Sequence, residues 1–119
     1  MENEIDIVNQ YIISSYPKDY SERNEYKLHI VRRMECVDGF SMSVQGHFGA
    51  YCSPRVNFAS RYDSLEIGFP SEREDIIMPY IDGEDSDPTQ TVYGYVPVNV
   101  IVEVIKKHGG ILGSGIGGN

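Results

Sequence analysis

Hydrophobic residues near the amino terminus recur at helical spacing. Ile5, Val8 and Ile12 lie at positions i, i+3 and i+7, so they fall on one face of a helix. Pro17 disfavours helical geometry in the residue before it. The pattern therefore predicts a helix over residues 3–14.

Three later segments alternate apolar with polar residues, which is typical of strands with one buried face. Residues 27–36 and 40–45 alternate on either side of the pair Asp38-Gly39, which predicts a tight hairpin turn. Residues 64–69 predict a third strand. In the first strand the buried side would consist of Leu28, Ile30, Met34 and Cys36.

The carboxyl-terminal half predicts two helices around a fourth strand. Ser71 followed by Glu74 has the spacing of a capping box, so a short helix would begin there and end near Pro79. Residues 91–96, rich in Tyr and Val, predict the strand. Residues 97–110 return to helical spacing. The apolar face of this last helix would consist of Val98, Ile101, Val102 and Ile105.

These elements follow one another in the order α-β-β-β-α-β-α, and 119 residues are too few for two cores. The expected fold is a small single α+β domain over residues 1–110, with a mainly antiparallel sheet of about four strands and two or three helices. A flexible glycine-rich tail would follow over residues 111–119.

Charge narrows the classes of partner. The chain has 18 acidic and 10 basic residues, a formal net charge of −8. Nine of the acids and one base lie in residues 63–87, which we call the acidic band. Nucleic acids and anionic membranes are bound through Lys and Arg, so the composition argues against direct binding of DNA, RNA or a membrane surface.

Compartment follows from the apolar runs and the cysteines. No segment has the roughly 20 consecutive apolar residues of a membrane span. The first residues, MENEIDIV, are acidic where a secretory signal is basic. Cys36 and Cys52 form no disulfide framework. We therefore expect an intracellular protein.

Residues capable of metal binding or nucleophilic catalysis are sparse. The histidines and cysteines show neither CxxC nor HxxxH spacing, so we expect no metal site and no cofactor. Cys52 near His47 is the one arrangement that suggests a nucleophile, but its loop contains no acid to orient the histidine. The sequence therefore predicts no catalytic residues and no enzymatic activity.

A long connection, residues 47–62, combines aromatic side chains with arginines. Aromatic faces stack on bases and guanidinium groups bind phosphate through paired hydrogen bonds, so the connection predicts a nucleotide pocket. Alternatively, the tyrosines fill the core and the arginines pair with the acidic band. The candidate ligand-binding residues are Arg55, Arg61 and Arg32 for phosphate, Tyr51, Phe58 and Tyr62 for stacking, Ser53 and Asn57 for a ribose, and Tyr93 with Tyr95 as a wall.

Four strings carry a resemblance to a known group of proteins: DGFSMSVQ, YCSPR, EIGFPS and TVYGYVPVNVIVEVIKKHGG. They resemble small proteins encoded in bacteriophages and prophages of Gram-positive bacteria, over about residues 28–110. The resemblance implies a viral protein of the host bacterial cytoplasm, and small phage proteins of this kind often counter bacterial immunity. It assigns no role to individual residues.

Two functions follow as expectations. The first is a non-catalytic anti-defence sponge that sequesters a nucleotide-derived immune signal, such as a cyclic nucleotide, in a pocket completed by a second subunit of a homo-oligomer. The alternative is an acidic inhibitor whose acidic band docks on the basic channel of a host defence protein such as a CRISPR nuclease. A structural or regulatory phage part without a ligand is the third reading.

Overall fold

A computed structural model of the chain describes residues 4–113, with side chains from Ile7 onward. In this part of the chain, four strands form one antiparallel sheet in the order β1-β2-β3-β4. The strands are β1 (Met34–Glu35), β2 (Ser41–Gln45), β3 (Ser64–Gly68) and β4 (Val92–Pro97).

Two α-helices complete the core. Helix α1 (Glu4–Ile13) contacts helix α2 (Val98–Lys107), and α2 also contacts β4. Short 3₁₀ helices cover Tyr20–Glu22 and Asp75–Tyr80. One apolar cluster joins the helices to the buried face of the sheet. The α+β class, the antiparallel sheet and both longer helices are confirmed.

The predicted hairpin turn is also confirmed. Met34 faces Met42 across the ladder, and the Cys36 main-chain N–H donates to Phe40 O over 2.8 Å. Gly39 has φ +100°, a conformation that a residue without a Cβ adopts without steric cost. The turn therefore owes its geometry to the Asp38-Gly39 pair.

The prediction for the first strand is wrong in its extent. Only Met34–Glu35 enter the ladder; Leu28 and Ile30 are exposed, whereas Val31 is buried. The Gln45 side chain accepts from Val31 N over 2.8 Å and donates to Val31 O over 2.7 Å. A buried amide side chain thus occupies the hydrogen-bonding groups that a strand neighbour would use.

The predicted capping box does not form. The Ser71 hydroxyl accepts from Ser41 N instead, which ties the segment to β2. Glu74 is itself the N-cap, and its carboxylate accepts from Ile76 N over 3.1 Å. The helix therefore begins three residues later than predicted and is a 3₁₀ helix.

The folded domain extends past the predicted boundary at residue 110. Ile111 is buried and bridges Cys36, and the Leu112 main-chain N–H donates to Glu35 O over 2.8 Å. The first residues of the predicted tail therefore add to the edge of the sheet. The remainder of that tail, residues 114–119, lies outside the described residues.

A buried histidine joins three separate segments at the end of α2. His108 Nδ1 lies 2.7 Å from Asp38 Oδ2, and His108 Nε2 lies 2.6 Å from Glu74 Oε1. Lys107 Nζ reaches the other Glu74 oxygen over 2.9 Å, and the Phe40 ring stacks on the imidazole at 4.1 Å. We call Asp38, Glu74, Lys107 and His108 the histidine network. It links the hairpin turn, the 3₁₀ helix and α2.

The network stabilises the charged form of each member. Burial alone would lower the pKa of His108, but the hydrogen bonds to Glu74 and Asp38 outweigh it and hold the pKa above its ordinary value of 6.5. Burial alone would raise the pKa of Glu74, yet the hydrogen bonds from Lys107 and His108 hold it below 4.5. His108 at the carboxyl end of α2 also faces the negative end of the helix dipole.

Stability should therefore show a maximum with pH. The contribution of His108 is complete below pH 6.5 and is lost as pH rises through its raised pKa. That of Glu74 is complete above pH 4.5 and is lost as pH falls through its lowered pKa. Urea unfolding at a series of pH values should show the free energy of unfolding declining on both sides.

The variant His108→Gln isolates the alkaline decline, because glutamine does not titrate. We expect it to lose about 3 kcal/mol near pH 6, where one partner of a buried pair is removed, and much less at high pH. A loss of equal size across the whole pH range would show that His108 contributes packing alone.

Candidate functional site

The connection over residues 47–62 is held by polar side chains. The Asn57 amide accepts from Phe48 N and donates to Asn24 O and Lys27 O, the last over 2.6 Å. Its hydrogen-bonding groups therefore join loop segments and are not directed at a ligand. Ser53 is likewise engaged through its main chain, which pairs with Ser64 at the start of β3.

Two of the predicted stacking residues lie in the core. Tyr62 and Tyr93 are both fully buried. The Tyr62 hydroxyl donates to Val56 O and Gly46 O, and the Tyr93 hydroxyl donates to Pro88 O. Neither ring has a face open to a ligand, so the expectation that they stack on a base does not fit the structure.

The remaining predicted residues are dispersed. Phe58 packs edge-on against the Tyr16 ring at 5.2 Å, which favours a core-lining role. Arg32 lines cavities beside α1. Arg61 is exposed, and the cavities described here do not include it. Of the nine predicted ligand residues, Tyr51 and Arg55 lie together: the guanidinium carbon of Arg55 is 5.4 Å from the centroid of the Tyr51 ring.

Tyr51 belongs to a group of tyrosines around a shallow cavity. The cavity has a volume of about 280 Å³ and is lined by Tyr51, Tyr80, Ile81, Asp82, Gly94 and Tyr95. The Tyr51 and Tyr95 rings are 6.0 Å apart, and these side chains are 44% and 48% exposed. We call Tyr51, Tyr80 and Tyr95 the tyrosine surface.

A strained backbone aims Tyr95 at Tyr51. Tyr95 has φ +52°, where a tyrosine is sterically disfavoured, and the register of β4 against β3 shifts next to it. The Tyr95 main-chain N–H donates to Tyr51 O over 2.9 Å. The loop can approach this closely because a Cβ on Gly94 would lie 3.2 Å from the Tyr51 Cβ.

The other side of Tyr51 is fixed by a carboxylate. The Tyr51 main-chain N–H donates to Glu66 Oε1 over 2.8 Å, across the solvent face of β3. Glu66 therefore ties the loop to the sheet. The main chain of Tyr51 is thus held from two strands while its ring remains half-exposed.

Acidic residues adjoin the tyrosine surface. Asp82 lines the cavity, and the segment 82–87, which we call the acidic loop, also carries Glu84, Asp85 and Asp87, all exposed. Asp87 accepts from the Thr89 N–H and hydroxyl, both over 2.9 Å, and these hydrogen bonds lower its pKa. In the described part of the chain, Glu84 and Asp85 make no ion pair.

The predicted chemistry around Cys52 can be located. The thiol is buried, and burial raises its pKa above the ordinary value of 9.0. Its sulfur lies 3.4 Å from His47 O, whereas the His47 ring accepts from Gly49 N through Nδ1. Across residues 4–113, no group of three or more His, Cys, Asp or Glu side chains is placed to hold a metal ion.

Comparisons with protein-family models, with curated proteins and with solved structures found no match to this chain. No helix in the described part of the chain is both long and apolar enough to traverse a bilayer.

Sequence reasoning missed Tyr80 and Asp82 and paired Tyr95 with Tyr93. Two residues apart on a regular strand, these tyrosines would share a face, but the irregularity in β4 places Tyr93 in the core and Tyr95 outside. The signal available in the sequence was Gly94 between two tyrosines, since glycine within a strand often marks a bulge or a close approach.

Replacing Tyr95 by asparagine should relieve the backbone strain, because asparagine tolerates positive φ better. We expect the free energy of unfolding of Tyr95→Asn to stay within about 0.5 kcal/mol of the wild type, or to rise, despite the lost ring contact. Urea unfolding measures this. Gly94→Ala is the contrasting variant, expected to lose about 1 kcal/mol or more by crowding Tyr51. A larger loss in Tyr95→Asn than in Gly94→Ala would contradict a strained Tyr95.

Proposed function

We propose that the protein is a non-catalytic binding protein that docks through the tyrosine surface and the acidic loop on a basic surface of another protein. The observation that supports this best is the adjacency of half-exposed tyrosines and unpaired carboxylates around Asp82. The resemblance to phage proteins suggests a host defence protein as the partner, and the charge suggests its nucleic-acid channel.

The sign of the charge favours a cationic partner. Arg55 is the one base beside the tyrosine surface, whereas Asp82, Glu84 and Asp85 lie on its other side. At an effective dielectric near 20, two unit charges about 8 Å apart interact by roughly 2 kcal/mol. Several carboxylates therefore outweigh one guanidinium, and the local potential attracts arginine and lysine side chains.

The tyrosines supply the energetic centre that charge alone lacks. Tyrosine and arginine are enriched where binding energy concentrates at protein interfaces, and charged rims chiefly set association rate and specificity. Tyr51 and Tyr95 are held by main-chain hydrogen bonds, so they lose little conformational freedom on binding. This arrangement suits a preformed docking surface.

Charge reversal of the acidic loop tests the proposal. The variant Glu84→Lys with Asp85→Lys leaves Asp87 in place, because Asp87 holds the turn through Thr89. The matched control, Glu25→Lys with Glu103→Lys, changes two exposed acids elsewhere and gives the same net charge.

Immobilised protein should capture basic nucleic-acid-binding proteins from a lysate of the bacterial host, and short duplex DNA should release them. We expect the loop variant to lose at least tenfold in captured protein and the control to lose less than twofold. Equal capture by the two variants, or captured proteins that DNA does not release, would contradict the proposal.

The contact between Arg55 and Tyr51 favours a second candidate, a small nucleotide-derived ligand. The ring offers a stacking face and the guanidinium a phosphate contact at the rim of the cavity. A cavity of about 280 Å³ is small for a complete ligand site, so a second subunit would have to close it.

Calorimetry against a panel of cyclic dinucleotides and ADP-ribose derivatives tests this candidate. It predicts measurable heat with one ligand, loss of that heat in Arg55→Ala, and retention in the acidic-loop variant. No heat from folded wild-type protein with any of the ligands would eliminate it.

A further inference from the structure

An extended segment without a strand partner precedes β1. Residues 27–33 belong to no ladder, although they continue toward the edge strand of the sheet. Asn57 donates to Lys27 O, and Gln45 exchanges two hydrogen bonds with Val31. Alternate residues of an extended chain direct their main-chain groups to opposite edges, so these two amides occupy the inner edge.

The outer edge is open at Leu28 and Ile30. Within residues 4–113, no hydrogen bond reaches the main-chain N–H or C=O of either residue. Their side chains are 50% and 62% exposed. Unpaired main-chain groups flanked by apolar side chains are a template for an added strand.

Two neighbouring cavities continue this edge toward β1. Their volumes are about 280 and 370 Å³, and both are lined by Tyr11 and Arg32. The first also includes Val31, and the second reaches Leu112. A chain paired with residues 28–30 therefore meets a groove, with the Arg32 side chain between its two halves.

Charge decides which chain fits. Residues 26–34 contain Lys27, Arg32 and Arg33 but no carboxylate, in a protein of net charge −8. The Arg33 guanidinium is engaged by Ser41 and Phe69 O, while Lys27 and Arg32 are exposed. A second copy pairing antiparallel about Ile30 would set Lys27 opposite Arg33, and like charges directly opposite are unfavourable.

We propose that the outer edge of residues 28–30 binds an extended acidic peptide of a partner protein as an added β-strand, with a peptide carboxylate at Arg32. Main-chain pairing supplies the affinity, and Arg32 with Lys27 supplies the preference for acidic sequence. This site is separate from the tyrosine surface and does not depend on its function.

The test uses a synthetic peptide of alternating valine and glutamate, about ten residues long, with a valine–lysine peptide as the control. Amide exchange followed by NMR should show slowed exchange at Leu28 and Ile30 with the acidic peptide alone. Ile30→Pro removes an N–H that has no native partner, so it should abolish binding without loss of a native hydrogen bond, whereas Ile30→Ala should bind within threefold of the wild type. Arg32→Glu should weaken binding by about tenfold.

Three results would overturn the proposal. They are equal binding of the acidic and basic peptides, undiminished binding by a folded Ile30→Pro variant, and slowed exchange at Leu28 and Ile30 that grows with protein concentration without peptide. The last would assign the edge to a second copy of the chain.

Discussion

The pairing of His108 with Asp38 and Glu74 is the interaction on which the arrangement of the molecule most depends. It joins the hairpin turn, the start of the 3₁₀ helix Asp75–Tyr80 and the end of α2. Because Glu74 is also the N-cap of that helix, the same carboxylate fixes the segment that carries Tyr80 into the tyrosine surface. A fully bonded buried network of this kind favours one arrangement of the three segments over looser alternatives.

Polar side chains perform a second task by replacing main-chain pairing where regular structure ends. Gln45 holds Val31, Asn57 holds the loop over residues 47–62, and Asn9 exchanges hydrogen bonds with the Tyr62 main chain. These contacts satisfy buried or inward-facing groups without a neighbouring strand. Their consequence is a segment that is held extended from one side while its other side remains open.

Elements that depend on local pattern were predictable from the sequence. Helix α2 has a continuous apolar face, and Asp38-Gly39 satisfies the dihedral requirements of its turn, so neither needs long-range information. The extent of the first strand was not predictable, because it depends on the Gln45 side chain, fourteen residues from Val31. At the site, Tyr51 and Arg55 were found together. The opposite fates of Tyr93 and Tyr95 followed from the irregularity in β4, which the residue spacing does not reveal.

The central claim is that the tyrosine surface and the acidic loop form one docking site for basic protein surfaces. NMR titration of the protein with an arginine-rich peptide tests it most directly, because it reads every exposed carboxylate region at once. The claim predicts shifts concentrated at Tyr51, Tyr80, Tyr95 and the acidic loop. Shifts of similar size at Glu25 and Glu103 would contradict it, since they would show that the peptide responds to net charge alone.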